Sequence, residues 1–261
     1  MSSAAESKGT ALVTGAAQGI GRAIALQLAE DGFDVALNDI ASKGPQLDAV
    51  KEEVIKVGRH AAVFPADISI DAEVKNMVAG AVKAFGGLDV MVANAGICKA
   101  RGSLLDIEFA DWDNTFNINV RGTLLCYQHA ARQMILQGHG GRIIGACSGA
   151  GKQGMAMLPD YSSSKFAVRG LTQAAALEFG KHGITVNTYA PGGVITPMTE
   201  QFAPLAGLTQ EAFFAAQAQQ VATGRNPTTQ DIARLVSFLA SKESGFITGQ
   251  SISADGGRYF D

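Results

Sequence analysis

The stretch "ALVTGAAQGIG", residues 11–21, decides how the rest of the chain is read. A short apolar run closes on Thr14-Gly15, and glycines return at Gly19 and Gly21 as a helical pattern, "IGRAIALQLAEDG", begins. A tight turn needs positive φ, and the close approach of a pyrophosphate leaves no room for a Cβ; glycine meets both demands. The helix that opens there offers unpaired N–H groups and the positive end of its dipole to an anion. The spacing is TGxxxGxG, wider than the common GxGxxG, and a plain tight turn could use the same residues. Its position between a first strand and a first helix points to a dinucleotide site.

Working outward, similar runs recur: "DVALND" (34–39), "AAVFPAD" (61–67), "LDVMVANAG" (88–96), "GRIIGACS" (141–148), "GITVNTYAPG" (183–192) and a weaker "GQSISADGG" (249–257). Helix-period stretches such as "DAEVKNMVAGAVKAFGG" lie between them. Alternation of this kind builds βαβ units, and so an α/β domain with a parallel sheet of about seven strands and helices on both faces. The runs end on Thr14-Gly15, Asp39, Asp67, Asn94, Ser148 and Pro191-Gly192. Any one of these could be a turn residue. Together they gather on the edge where open parallel sheets bind ligands. No linker or composition break divides the chain, so residues 9–261 read as one domain behind a flexible N-terminal segment, 1–8.

Composition excludes several classes. The 261 residues carry 21 lysines and arginines against 24 acids, a net charge of −3 with no basic block. Nucleic acid and anionic membrane surfaces are therefore disfavoured partners. The three cysteines, Cys98, Cys126 and Cys147, form neither a disulfide framework nor a CxxC site, which suits a reducing compartment. The four histidines show no ligand spacing, and no catalytic metal is expected. "MSSAAESKG" lacks the apolar core of a signal peptide, and no run reaches membrane-spanning length. A soluble, cytoplasmic protein is expected.

Asp39 closes the second run, eighteen residues after Gly21, near the separation at which an acid reads the adenosine ribose. Its carboxylate would accept from the ribose hydroxyls and repel a 2′-phosphate, which favours NAD over NADP; Lys43 is the nearest base. A solvated turn aspartate is the alternative. "YSSSK", residues 161–165, sets a phenol and an amine at i and i+4, one face of a helix.

In order along the chain, "TGAAQGIG", "NAG" at 94–96, Asn119 in "NINVRG", Ser148 in "GACSGAG", "YSSSK" and "PGGVITPM" resemble the short-chain dehydrogenases/reductases over roughly residues 8–257. "GRIIGACSGAG" and "YSSSKFAVRGLTQAAALEFGKHGITVN" look most like acetoin/diacetyl reductases and 2,3-butanediol dehydrogenases. Gly149 and Met155 depart from the butanediol enzymes, which tend to carry polar side chains there. The resemblance implies a Rossmann-type doubly wound sheet and a catalytic set of Asn119, Ser148, Tyr161 and Lys165. Ser148 would hold the substrate oxygen, and Asn119 a water relaying protons through Lys165. For the dinucleotide it implies Gly15, Gln18, Gly19, Ile20, Gly21, Asp39, Asp67, Ile68, Asn94, Gly96, Tyr161, Lys165, Pro191, Gly192, Val194 and Thr196.

The chemistry can be argued beside the resemblance. Bringing a tyrosine from about 10 to neutrality takes about 4 kcal/mol, and one cation at about 4 Å supplies about that much at an effective dielectric of about 20. Lys165 is expected to be that cation, with the positively charged oxidised nicotinamide adding to it, and Tyr161 to serve as general acid in reduction and general base in oxidation. Residues 198–224 are expected to form a substrate lid. They hold Met198, Phe202, Leu205, Leu208, Phe213 and Phe214 and no lysine or arginine, and the opposite wall, "SGAGKQGMAMLPDY", has one cation, Lys152. A small neutral ketone such as diacetyl or acetoin is the expected substrate. A polyol or sugar dehydrogenase, a 3-oxoacyl reductase and a non-catalytic NAD-binding sensor are the alternatives. The helix "SSSKFAVRGLTQAAALEFGKHG" carries more apolar residues than one sheet-facing stripe needs, so a homodimer or homotetramer is expected.

Overall fold

The computed structural model describes residues 6–260; part of the N-terminal segment expected to be flexible (residues 1–5) and Asp261 lie outside them. Strand β1 (Thr10–Val13) leads through the glycine turn into helix α1 (Gly19–Glu30). The alternation continues with β2 (Asp34–Leu37), α2 (Gly44–Lys56), β3 (Ala61–Val63), α3 (Asp71–Phe85), β4 (Val90–Ala93), α4 (Phe109–Phe116) and α5 (Gly122–Gln137). Then come β5 (Gly141–Ala146), α6 (Pro159–Phe179) and β6 (Ile184–Pro191). Three short helices, α7 (Pro197–Glu200), α8 (Phe202–Leu205) and α9 (Gln210–Ala218), precede α10 (Thr229–Ala240) and β7 (Ser251–Ala254).

All seven strands lie in one sheet, in the order β3-β2-β1-β4-β5-β6-β7, and every pairing is parallel. The seven runs read from the sequence are these seven strands, trimmed at their ends. β3 stops at Val63, before Pro65, which has no N–H to give a ladder. β4 stops at Ala93 because Asn94 turns its bonding inward.

Successive strand residues alternate between two apolar layers. Ala11, Val13, Val35 and Leu37 meet Ile24 and Leu28 of α1, Leu47 of α2 and Val236 of α10. Leu12, Ala36 and Met91 face the other way, toward Val74 and Met77 of α3, Met134 of α5 and Ala175 of α6. Covering both faces is what lets the strands read as near-continuous apolar runs. Helix α6 buries Val168, Ala175 and Ala176 and leaves Phe166, Ala174 and Leu177 facing outward. Among the described residues no helix is long and apolar enough to cross a membrane.

Leu28 is completely buried between sheet and helices. Its replacement by alanine is expected to cost about 2–5 kcal/mol, the transfer term plus the cavity left behind. Urea denaturation measures it, through a lower midpoint at unchanged slope.

Candidate active site

A cleft of about 800 Å³ opens at the carboxyl ends of the strands. Gly15, Gln18, Gly19, Ile20, Gly21, Asp39, Asp67, Ile68, Asn94, Gly96, Pro191, Gly192, Val194 and Thr196 all line it, with Ser148, Tyr161 and Lys165. Asn119 does not; it is buried close behind the wall, its Oδ1 3.1 Å from where a Cβ on Gly96 would sit. Residues read from strand ends scattered over the whole sequence thus form one site.

At one end the glycine turn makes a cradle. Gly15 and Gly19 have φ of +64° and +57°. A Cβ on Gly21 would lie 2.1 Å from the Gly15 carbonyl oxygen and 2.5 Å from Asn94 Nδ2, so only glycine fits. No side chain caps the start of α1, which leaves its first N–H groups for an anion. Asp39 accepts from the backbone N–H of Ala17 at 3.2 Å and of Ile40 at 2.9 Å, which fixes its carboxylate at the cleft wall. Lys43 reaches the same wall and donates to Gln18 Oε1 at 3.2 Å. Asp67 Oδ1 accepts from the N–H and hydroxyl of Ser69. A cradle that a Cβ would fill, a helix start without a cap and a carboxylate at the end of β2 fit a nicotinamide dinucleotide.

Asn94 is more engaged than its sequence context indicates. Its Nδ2 donates to the carbonyls of Thr14 (2.8 Å) and Gly15 (3.3 Å), and its Oδ1 accepts from the Tyr189 hydroxyl at 2.7 Å. Thr14 Oγ1 accepts in turn from the N–H groups of Asn94 and Ala95. One amide therefore ties together the ends of β1, β4 and β6.

Tyr161 and Lys165 stand on the first turns of α6. Pro159 sits in the first turn, with φ already suited to the helix, and Asp160 places a carboxylate at the positive end of the dipole. Asp160 is also the centre of a buried ion pair: Arg101 Nε lies 2.8 Å from its Oδ2, which accepts from Thr115 Oγ1 as well. Its Oδ1 accepts from the N–H of Tyr161, so this network holds the residue before the phenol. Lys165 is buried and donates to the Ala146 carbonyl at 2.8 Å, with its Nζ 5.4 Å from the Tyr161 ring centre. Ser148, at the end of β5, accepts from the N–H of Ala150 and faces the phenol.

One expectation needs correction. Burial raises the Tyr161 phenol, with the Cys98 thiol nearby adding to the rise and the Ser148 hydroxyl opposing it. Burial equally lowers the Lys165 ammonium. The dry cleft disfavours both charges, and the ammonium is spent on a carbonyl instead of lying against the phenolic oxygen. The protonated phenol suits a proton donor; forming the phenolate requires additional positive charge in the cleft.

Asn119 lies in a π-helical segment, Asn117–Arg121, between α4 and α5. Its Oδ1 accepts from the Ile97 N–H at 2.8 Å, and its Nδ2 donates to the Ile97 carbonyl and to Ser164 Oγ. The amide clamps the loop after β4.

At the far end the walls are apolar. Met198, Phe202, Leu205, Phe213 and Phe214 of the lid segment line the cleft, with Met155, Met157 and Leu158 opposite; Leu208 does not line it. Lys152 is outside, donating to the Ser251 carbonyl beside β7. The Cys98 thiol lines this end, pushed up to about 12 by burial and so inert as a nucleophile. Sequence reasoning missed Arg258 and Tyr259, which return from beyond β7 to the cleft. The double glycine in "ADGGRYF", with φ of +67° and +84°, was the available signal for that reversal.

Comparison with known proteins agrees with this geometry. A family model described as enoyl-(acyl carrier protein) reductase matches residues 15–258. A short-chain dehydrogenase/reductase of Armillaria gallica is 51% identical over the full length of both chains. A diacetyl reductase, (S)-acetoin forming, of Staphylococcus epidermidis is 43% identical over 95% of this chain and 97% of that one. The crystal structure of an acetoin dehydrogenase from Salmonella typhimurium superimposes with a TM-score of 0.84 at 32% identity, covering 97% of each chain. The chain belongs to the short-chain dehydrogenase/reductase family, oxidoreductases that act on alcohols and ketones with nicotinamide dinucleotides.

Replacing Tyr161 with phenylalanine is expected to lower kcat by about 10²–10⁴-fold, the usual worth of a general acid–base group, while dinucleotide binding, followed by NADH fluorescence, persists. Because burial raises the phenol, wild-type alcohol oxidation, which needs the phenolate, should climb with pH through the alkaline range, while ketone reduction, which needs the phenol, should stay level until the phenol ionises. Oxidation falling over that range would remove Tyr161 from the reaction.

Proposed function

We propose that the protein is an NAD(H)-dependent oxidoreductase that reduces a small neutral ketone of the diacetyl or acetoin type to the alcohol and catalyses the reverse oxidation. The observation that carries this reading is the meeting of Ser148, Tyr161 and Lys165 with an apolar lid segment in the cleft that also holds the glycine cradle. A bound dinucleotide supplies a hydride to the carbonyl carbon in reduction and accepts it in oxidation. The Ser148 hydroxyl donates to the carbonyl oxygen and stabilises its developing charge. Tyr161 gives its phenolic proton to that oxygen, and Lys165, with a water on Asn119, returns a proton to the phenol. Hydride and proton together make one alcohol from one ketone. Water exclusion by the lid apolars strengthens each of these interactions.

Asp39 supports NAD as the natural partner, since its fixed carboxylate would accept from ribose hydroxyls and repel a 2′-phosphate. Lys43, beside it on Gln18, is the group that could soften the preference. A homo-oligomer is part of the same reading: Phe166, Ala174 and Leu177 give α6 an outward apolar face, and Leu177 is 88% exposed. A reducing cytoplasm suits three buried cysteines without a disulfide.

Initial rates at 340 nm should favour NADH over NADPH with diacetyl or acetoin, and Asp39→Ala should shrink that preference by about tenfold or more, an ion-scale contact. A wild-type preference for NADPH would overturn the cofactor reading. Light scattering at micromolar concentration should give a dimer or tetramer mass, reduced by Leu177→Arg; a monomer would refute the oligomer.

A further inference from the structure

We propose that Arg258 determines substrate specificity by donating hydrogen bonds to a second oxygen acceptor on the ketone, one the reaction itself does not touch. This rests on the ketone-reducing reading above and names what else the substrate carries.

The tail after β7 is built to present this side chain. Asp255, buried, accepts from the N–H groups of Gly257 and Arg258 through Oδ1 and of Tyr259 through Oδ2. The Gly256 carbonyl accepts from the Thr223 N–H at 3.1 Å, which fixes the tail to the end of the lid segment. Three backbone bonds to one carboxylate leave the Gly257–Tyr259 backbone little freedom.

The tail lies on the Ser148 flank of the cleft, away from the cradle. The Tyr259 ring packs over Gly149, the residue after Ser148, where a Cβ would come within 2.8 Å of the ring. A Cβ on Gly193 would lie 3.9 Å from Arg258 Nη1. Gly149 therefore departs from the butanediol pattern for a visible reason: the space a polar side chain would fill is occupied by Tyr259.

Among the described residues the guanidinium is a cation without an anion. It donates to the side-chain oxygens of Gln217, on α9, and Gln220, at 2.8 Å for the latter, and stands 5.3 Å from the Tyr259 ring centre. Among the described residues it meets no carboxylate. Two neutral amides use two of its five N–H groups and leave its charge uncompensated at the edge of a mostly apolar chamber. Among the described residues no other cation lines that end, since Lys152 lies outside the cleft and residues 198–224 hold none. A substrate oxygen, of a neutral carbonyl or hydroxyl or of a carboxylate, is the complement the chamber lacks. A site built to bond such an oxygen discriminates strongly against an analogue without it, because the donors are then left unmatched.

The test compares substrates on one carbon skeleton, with NADH: 2-pentanone, 2,3-pentanedione and 2-oxopentanoate. The quantity read is the ratio of kcat/KM for each doubly oxygenated ketone to that for 2-pentanone, in wild type, Arg258→Met and Arg258→Gln. Taking the change in this ratio cancels the intrinsic reactivity of the diketone. The expected result is a fall of about tenfold or more in one of the two ratios, the scale of a lost charged hydrogen bond. A fall in the diketone ratio assigns Arg258 to a neutral oxygen; a fall in the oxo-acid ratio assigns it to a carboxylate. If both ratios stay within about threefold of wild type, by equal loss on all substrates or by no loss, Arg258 only latches the lid and the proposal is overturned. The glutamine variant keeps a polar contact to α9 should the methionine variant fail to fold. The two readings fail separately. Turnover of the oxo-acid alone would sink the neutral-ketone reading and leave Arg258 standing, whereas unchanged ratios with good diketone turnover would do the reverse.

Discussion

The amide of Asn94 is the tie on which the site depends. It closes the crevice at the point where the sheet reverses direction, between β1, which runs on toward β2, and β4, which runs toward β5. By donating to the carbonyls of Thr14 and Gly15 it fixes the start of the glycine turn, and by accepting from Tyr189 it fixes that turn against the end of β6. Leaving any one of these buried groups unpaired would cost about 1–3 kcal/mol, so the three strand ends are held as a unit. The glycines follow from this closeness. A Cβ at Gly15 would meet Asn94 Nδ2 at 2.8 Å, and one at Gly21 would meet the Gly15 carbonyl. The cradle is narrow because the amide draws its walls together.

The packing that shapes the cleft also sets its protonation states. A dry wall disfavours charge of either sign, and it moves the Tyr161 phenol up and the Lys165 ammonium down. Geometry then separates the two roles. The ammonium is anchored on the Ala146 carbonyl at the end of β5, while the phenol faces Ser148 at the same strand end. Arg101 and Thr115 hold Asp160, and Asp160 holds the N–H of Tyr161, so the phenol is positioned from the loop after β4 and from α4 as well as by its own helix.

How much of this was legible in the sequence depended on how local the cause was. The strands, the glycine turn, Asp39 and the Tyr161–Lys165 pair each declare themselves within one turn or one run, and the structure places them where local rules put them. Groups of distant origin did not. Asn119 is named only through the family resemblance, and nothing near it in sequence announces that its amide bonds the backbone of Ile97, twenty-two positions away. Nothing near Arg101 in sequence announces its burial, which comes with an ion pair to Asp160, fifty-nine positions along the chain. Lys152 reads as the single cation of a cleft wall and is drawn out by a β7 carbonyl. In each case the missing information is a partner supplied by tertiary folding, which periodicity and spacing do not carry.

The two ends of the cleft differ in how they are made, and that difference bears on how the chemistry is tuned. The cradle end is mostly backbone and strand-end side chains, tied to the sheet by Asn94 and to α1 by the turn, so it could change only by altering the sheet itself. The far end is assembled from the segment after β4, the loop before α6, helices α7, α8 and α9 (the expected lid) and the tail after β7. Among these, tail and lid are bonded to each other, through Thr223 to Gly256 and through Arg258 to the two glutamines. They therefore form one continuous wall, and on the reading proposed above a side chain at 258 alters what the cleft accepts while Tyr161 and Lys165 keep their places on α6. On that reading scaffold and selectivity sit on different parts of the chain, the arrangement by which one fold hosts many functions.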